Sequence, residues 1–424
     1  MVPIPPSWRS RLAFAAGWTV IAAAAAWLVI NLAGWSSTTP FDFDAKKYYI
    51  PYAQRFLAEG WAFFADPKSV HVPPFSFLFA ALTGAELGLQ KAIGIGLSLA
   101  TLLMVARMAM VVHSPAAGVC AAALFALTPL LPPYLSSGSV EPLYVFLFTA
   151  WLALLVEGAQ RNATGWFVAA GIALGLAALT RATLVYFIPV VIVAALVLRW
   201  RRLGMRTLAK GLLTAHILAL ALVAPVIVRN LLLHGLPAIS TGAGIALYAG
   251  HHANTWGFDP GYFNVAFDFG ILGKDGWWHL DVEMDRLLAV MAKKVVASYE
   301  WMFLLKLYAI KAASFLFVSN QEWIAPVATL RGWRITELGL AALGAAAVLH
   351  RPIALLILAV TAFQFVAHVP VLYALRYSVV ALEIPLILFA AIGLARASAW
   401  PWQRQLAGAG MLAAAILGGT LLAR

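Results

Sequence analysis

Apolar residues neither alternate along this chain nor keep to one helical face. They come in unbroken runs rich in Ala and Leu, and roughly eleven of these reach the ~20 residues that a helix needs to cross a hydrocarbon core. Such runs predict transmembrane helices and exclude a closed β-barrel, whose strands alternate between lumen and lipid. The first, residues 12–34, follows Arg9 and Arg11 as a signal peptide would. It is too long for that and Gly34-Trp35-Ser36 is a poor cleavage site, so it reads as a retained span. The expected fold class is an all-α polytopic membrane protein with about 11 transmembrane helices, a single integral-membrane domain over residues 1–424 without internal repeat or low-complexity linker.

Two long segments interrupt the pattern, residues 35–89 and 234–331. With the N-terminus inside, the short turns at Arg107, Arg161, Arg199 to Arg202, Arg351 and Arg396 to Arg404 all fall in the cytoplasm, and both long segments face outward. Within the first, residues 45–60 carry Tyr49, Ala53, Phe56 and Leu57 at helical spacing, which predicts an amphipathic helix lying on the membrane surface with Asp44 at its start as a cap. Pro73-Pro74 then opens the next apolar run. The second segment passes from glycine-rich turns (241–261) through a helix-compatible stretch (281–299) to an apolar run (301–318) holding Lys306 and Lys311, read as an interfacial or re-entrant helix.

Composition agrees with the pattern. Of 424 residues 63% are hydrophobic and 11% charged, with a mean hydropathy of +0.88, values that no soluble globular chain of this size tolerates. The net charge of +12 comes from basic residues scattered at span ends, not from a basic-aromatic cluster, so it reports topology and not a nucleic-acid partner. Cys120 is the single cysteine and reads as a buried small hydrophobe; no intramolecular disulfide or cysteine-rich metal site can form. Of seventeen acids, only Glu157 belongs to an inner span end. The ionic chemistry is therefore expected on the outer face.

The candidates lie there. Asp42 and Asp44 are one residue apart, and on an extended segment both would face the same way, as a chelating pair, as one structural and one catalytic acid, or as solvated loop acids. Glu141 opens an apolar run, where a carboxylate faces a polar cavity or favours the helix start. Arg181, Arg229 and Arg376, the last followed by Tyr377, carry the planar, many-donor guanidinium that suits phosphate, although each alone also reads as an interfacial anchor. His71 is placed to contact an anionic head group. His251-His252 invites a metal reading, but a doublet does not easily set both rings on one ion. Glu337 and Glu383, inside apolar runs, read either as ion-coupling groups or as interhelical hydrogen-bonding partners. The tryptophans read mostly as an aromatic belt.

Taken in order, these pieces resemble the GT-C glycosyltransferases related to protein O-mannosyltransferases and the bacterial aminoarabinose transferase. The resemblance is carried by Asp44-Ala-Lys-Lys-Tyr48-Tyr49 with Ala53, Leu57 and Gly60, by Pro73-Pro74-Phe75, by Glu141-Pro142-Leu143, by residues 175–181 ending in Arg181, by Arg229-Asn230 with residues 239–250, and by Arg376-Tyr377. Val72 stands where the aminoarabinose transferase has a lysine before Pro-Pro, leaving Lys68 or His71 to take that place. The tryptophan-tryptophan-aspartate motif of oligosaccharyltransferases is absent.

The resemblance implies the GT-C fold, a polyprenyl-phosphate sugar donor, a hydroxyl acceptor on lipid, glycan or protein, and inverting transfer at the outer face of a bacterial inner membrane. It implies Asp44 as general base with Glu141 orienting the acceptor or holding a divalent cation if one is used; Arg376, Arg229 and Arg181, with Tyr377, His71 and Lys68, on the donor phosphate; and Asp42, Tyr48, Tyr49, His251 and His252 in support. The rival readings are a transporter or lipid flippase, which calls for midplane charges and broken helices in related halves, and a ligase consuming a polyprenyl-diphosphate glycan.

Overall fold

The computed structural model describes residues 8–38, 42–200, 206–253, 255–258, 281–318 and 327–399. Among these residues every regular element is helical, and the one β-type contact is an isolated bridge between Phe258 and Tyr373. The chain opens with α1 (Trp8–Thr38), the first apolar run. The first polar segment follows as a π-turn, Ala45–Tyr49, continuous with α2 (Ile50–Glu59), then two short 3-10 turns and α3 (Pro74–Leu82), whose first-turn proline costs no helical hydrogen bond.

A hairpin comes next, α4 (Leu87–Val112) and α5 (Pro115–Leu127), with Ser114 capping α5 by accepting the Ala117 N–H at 3.3 Å. After the short α6 (Pro132–Leu135) come α7 (Glu141–Arg161), α8 (Thr164–Thr180), α9 (Phe187–Trp200) and α10 (Arg206–His234). The second polar segment contributes α11 (Ala243–Gly250), α12 (Val282–Ser298) and α13 (Trp301–Phe317), and the chain closes with α14 (Val327–Val348), α15 (Pro352–His368) and α16 (Leu375–Ala397). Trp277, Trp278 and the last apolar run, past residue 399, lie outside the described residues.

Five helices, α1, α4, α7, α10 and α16, are long and apolar enough to cross a membrane, and the described residues also hold four shorter apolar helices. The chain is a multi-pass membrane protein. α7 and α16 are buried along most of their length and form its centre, with α4 against both, α5 against α16 and α4, and α8, α10, α14 and α15 outside them. α14 and α16 meet closely because Gly344 and Gly393 face each other's helix: a Cβ on Gly344 would lie 1.8 Å from the Phe389 carbonyl oxygen and one on Gly393 2.0 Å from that of Leu340. The outer helices turn Val190, Val193, Leu196, Leu220 and Leu232 outward, the surface a lipid-facing helix needs.

The charges obey this layout. At one end of α7, Glu157 pairs with Arg107 (2.6 Å) and Arg161 (2.7 Å), which brings these three of the residues expected at inner span ends together. Glu337 and Glu383 are not isolated acids. Arg334, fully buried, binds Glu383 at 2.8 Å and lies 3.5 Å from Glu337, while the Thr128 hydroxyl donates to Glu383 at 2.6 Å. This ionic network between α14, α16 and the end of α5 goes beyond the interhelical hydrogen bond that the sequence suggests; the spacing of Arg334 and Glu337, three residues apart, marks the pair on one helix, and the distant partner Glu383 is what the sequence does not show.

Candidate active site

Asp42 and Asp44 are held in helical backbone, not extended chain. Asp44 has φ −64° and ψ −36°, and Lys46 N–H already reaches the Asp42 carbonyl at 2.9 Å. Two residues on a helix are turned by about 200°, so the acids face opposite ways, and the expectation of a common face is corrected. Asp42 is buried. It accepts the Gly138 N–H at 3.0 Å and pairs with Lys91 at 2.7 Å, while Lys91 also donates to the Ser36 carbonyl at 2.7 Å. It fastens the first polar segment to α4 and to the turn before α7, and is neither chelating nor solvated.

Asp44 makes no capping hydrogen bond either, because the helix has begun before it. Its carboxylate instead receives the Arg376 guanidinium from the first turn of α16. Glu141, in the first turn of α7 and 3% exposed, lies 3.6 Å from Arg181, which ends α8. The Arg181 guanidinium lies over the rings of Tyr144 (5.6 Å) and Tyr377 (5.3 Å), and Arg376 in turn lies over Tyr377 (5.1 Å) and donates to its hydroxyl at 3.3 Å. Two carboxylate–arginine pairs therefore flank one tyrosine. The side chains of Asp44 and Arg376 are 19% and 31% exposed and that of Glu141 4%, so a ligand arriving from outside meets the first pair before the second.

The π-turn aims the aromatic residues of this segment, as such turns often do at functional sites. Tyr49 feels all four charges: burial pushes its hydroxyl well above the usual range, Asp44 and Glu141 push further, and Arg376 and Arg181 oppose them. Burial, and then Asp44, likewise raise Tyr48, whose ring packs on His71 with centroids 4.8 Å apart. Both tyrosines are thus kept as neutral hydrogen-bonding groups at neutral pH. Tyr144 accepts a hydrogen bond from Gln364 of α15 at 2.9 Å. Gln364 and His368, four residues apart in an apolar run, are the only hint of this wall that the sequence offers.

Not every expected residue arrives. Arg229 donates to Asn230 Oδ1 at 2.8 Å and lies over Phe64 at 4.5 Å, while Asn230 ties back to the Ala238 and Ile239 carbonyls at 2.7 and 3.0 Å. It backs the aromatic cluster of the first segment, and among the described residues it has no contact with Asp44 or Glu141. Lys68 donates its backbone N–H to Asp66 at 2.8 Å, and among the described residues no side-chain contact brings it to the site. His251 has both ring nitrogens engaged, Nδ1 with the Leu247 carbonyl (2.7 Å) and Nε2 with the Tyr308 hydroxyl (2.6 Å), so it is no metal ligand here; His252 packs 6.1 Å from Tyr248. Among the described residues no three His, Cys, Asp or Glu side chains converge, and Asp44 and Glu141 already have guanidinium partners. This donor set does not fit a divalent cation.

Comparison with solved structures decides the architecture. The archaeal oligosaccharyltransferase AglB from Archaeoglobus fulgidus, in complex with an inhibitory peptide and a dolichol-phosphate, aligns over 98% of this chain at a TM-score of 0.57 and 15% identity, and its apo form over 96% at 0.57 and 16%. The chain has the GT-C fold. It spans 55% and 54% of those two chains, about half their length. Within the GT-C frame, residues 72–228 match the family model described as dolichyl-phosphate-mannose-protein mannosyltransferase, a stretch that takes in Glu141 and Arg181 and leaves Asp44 and Arg376 outside. ArnT from Cupriavidus metallidurans bound to undecaprenyl phosphate aligns over 91% of this chain and 79% of its own at 17% identity, with a TM-score of only 0.34. No curated protein sequence matches the chain.

Proposed function

We propose that this GT-C protein is an inverting glycosyltransferase that moves a sugar from a polyprenyl-phosphate carrier to a hydroxyl acceptor. The observation that carries the proposal is the Asp44–Arg376 pair, an acceptor for a proton beside a donor for a phosphate, with Glu141–Arg181 behind it. In the reaction the acceptor oxygen attacks the anomeric carbon, the bond from that carbon to the phosphate oxygen breaks, and the hydroxyl proton passes to the Asp44 carboxylate. The carrier phosphate leaves with the extra negative charge, which Arg376 and then Arg181 stabilise in a partly buried site.

The pair also orders these events. Arg376 occupies Asp44 until a phosphate competes for the guanidinium; the carboxylate then becomes free to take a proton. Glu141, held by Arg181 and buried, orients the acceptor and the guanidinium and does not itself take the proton. Tyr48, Tyr49 and His71 line the approach. The protein resides in the bacterial inner membrane with this end toward the periplasm, the sidedness favoured by the basic inner turns. A donor linked to a lipid phosphate is in keeping with the dolichol-phosphate bound to AglB.

Replacing Asp44 by Asn tests the reading. The purified variant should keep its elution volume and melting temperature while sugar transfer from a polyprenyl-phosphate donor falls by about 10²–10⁴-fold. Near-normal transfer by that variant would overturn the assignment of the base.

A further inference from the structure

Arg376 is the group on which the proposed chemistry turns, and it sits on the second residue of α16, directly after a turn with no regular structure of its own. What holds that turn is the second polar segment. Leu372 N–H donates to the Ala246 carbonyl of α11 at 2.8 Å, and Tyr373 N–H donates to the Gly257 carbonyl at 2.8 Å. The fit is close: a Cβ on Gly250 would come within 2.5 Å of the Val371 carbonyl carbon, and the rings of Phe258 and Tyr373 lie 4.8 Å apart.

From the other side, α13 grips the same turn. The Tyr373 hydroxyl donates to the Ser314 carbonyl at 3.0 Å and the Ser378 hydroxyl to the Phe315 carbonyl at 2.6 Å. α13 also holds α11, through Tyr308 on His251 and through Lys311, whose ammonium donates to the Gly250 carbonyl at 2.8 Å.

Lys311 is the unusual member. Its side chain is buried, 1% exposed, and among the described residues no carboxylate pairs with it. A buried ammonium is costly unless it is hydrogen-bonded or paired with opposite charge. Here its partner is the last carbonyl of α11, where the unsatisfied C=O groups and the helix dipole favour a cation. That carbonyl belongs to the residue packed against Val371.

We propose that Lys311 is a positioning residue for the reaction: it closes α11 and α13 around residues 371–374 and so fixes the direction in which Arg376 leaves the first turn of α16. The proposal rests on the role given to Arg376 above. It takes the active-site geometry to be set by a segment that contributes no acid or base of its own, through a cation that touches no substrate. Loosening the clamp leaves Arg376 in place chemically but spread over several directions, so donor affinity falls while the guanidinium remains.

The test uses the full-length protein in detergent and undecaprenyl phosphate as the probe. In Lys311→Met, hydrogen exchange at the amides of residues 371–374 should quicken by about tenfold or more as their bonds to Ala246 and Gly257 open more often, and affinity for undecaprenyl phosphate should drop about tenfold. Lys311→Arg, which keeps the cation, should recover most of both. In an Arg376→Ala background the Met substitution should change affinity by less than about twofold, because a residue acting through Arg376 has nothing left to act on. Equal losses in both backgrounds, or unchanged exchange at residues 371–374, overturn the proposal. If Lys311→Met does not elute as folded protein, Tyr308→Phe, which removes the hydroxyl from His251 and leaves the ammonium, carries the same readouts. Should undecaprenyl phosphate fail to bind the unsubstituted protein, the donor reading falls, and the exchange data still decide whether Lys311 closes the clamp.

Discussion

The guanidinium of Arg376 donates to the carboxylate of Asp44 across 332 residues of chain. The pair joins the first polar segment to the start of the last described helix, and closes the site from two sides. A lysine at position 376 would keep the charge and lose the planar fork that can hold Asp44, Tyr377 and a phosphate oxygen together. Arg376→Lys is therefore expected to cut transfer by about 10²-fold, mostly through donor affinity. Steady-state kinetics on the variant check this, and an unchanged KM for the donor would count against it.

Glu141→Gln keeps the volume of a buried side chain and removes the partner of Arg181. The expectation is a 10- to 100-fold loss of kcat, about the effect of one misdirected active-site group, with donor binding little changed because Arg181 gains freedom to meet the phosphate. Measuring kcat and donor affinity separately distinguishes this from a role in donor capture.

Asp42→Asn separates the two neighbouring acids. It leaves Lys91 partly buried without its counter-charge and should cost about 2–3 kcal/mol of stability, seen as a lower thermal midpoint. Whatever protein remains folded should retain most of its transfer activity, the reverse of the outcome for Asp44→Asn.

Burial holds the His251 imidazole below its ordinary value of 6.5, and Lys311 adds to this, although the Leu247 carbonyl opposes it. Since Nδ1 faces a carbonyl it must carry the proton, so Nε2 accepts from the Tyr308 hydroxyl. A pKa lower in the folded state means stability that is complete above pH 6.5 and is lost as pH falls below it. Between pH 7.5 and 5.5 the protein should lose more melting temperature than His251→Gln, which cannot titrate; equal losses would show that this ring is not the titrating group.

The Arg334 network yields a prediction of opposite character. Arg334→Met alone strands Glu337 and Glu383 in an apolar interior and should abolish accumulation of folded protein, whereas Arg334→Met with Glu337→Met and Glu383→Leu should restore it, as for other buried ionic clusters replaced by matched apolar groups. Expression and melting of the triple variant decide whether the network serves stability alone; a folded but inactive triple variant would give it a further role.

Much of this architecture is legible in the amino-acid sequence. Run length marks the helices, and the reading of charges at span ends assigns Asp44, Glu141, Arg181 and Arg376 to one end of the bundle, where the fold gathers them. Sequence fails where orientation matters. Whether Asp42 and Asp44 share a face depends on helical against extended backbone, and Phe-Asp-Phe-Asp suits either. It fails too where a partner is distant: nothing near Asp42 announces Lys91, and Arg229 looks as suitable for phosphate as Arg181 until Phe64 and Asn230 take it. Lys311 and Arg334 are visible as charges in apolar runs, but their purpose lies in contacts with residues 61 and 49 positions away.

Glu141 and Arg376 stand in the opening turns of α7 and α16, the two most enclosed of the five long apolar helices among the described residues. Glu141 therefore starts from the molecular centre and Arg376 from its edge, where the clamp on residues 371–374 holds its direction, while Asp44, on the first polar segment, is the part left to yield. Entry and departure of a long lipid carrier would then be a one-sided motion, a single jaw working against a fixed anvil. An inhibitor built on the anvil would bind alike whether the jaw is open or shut.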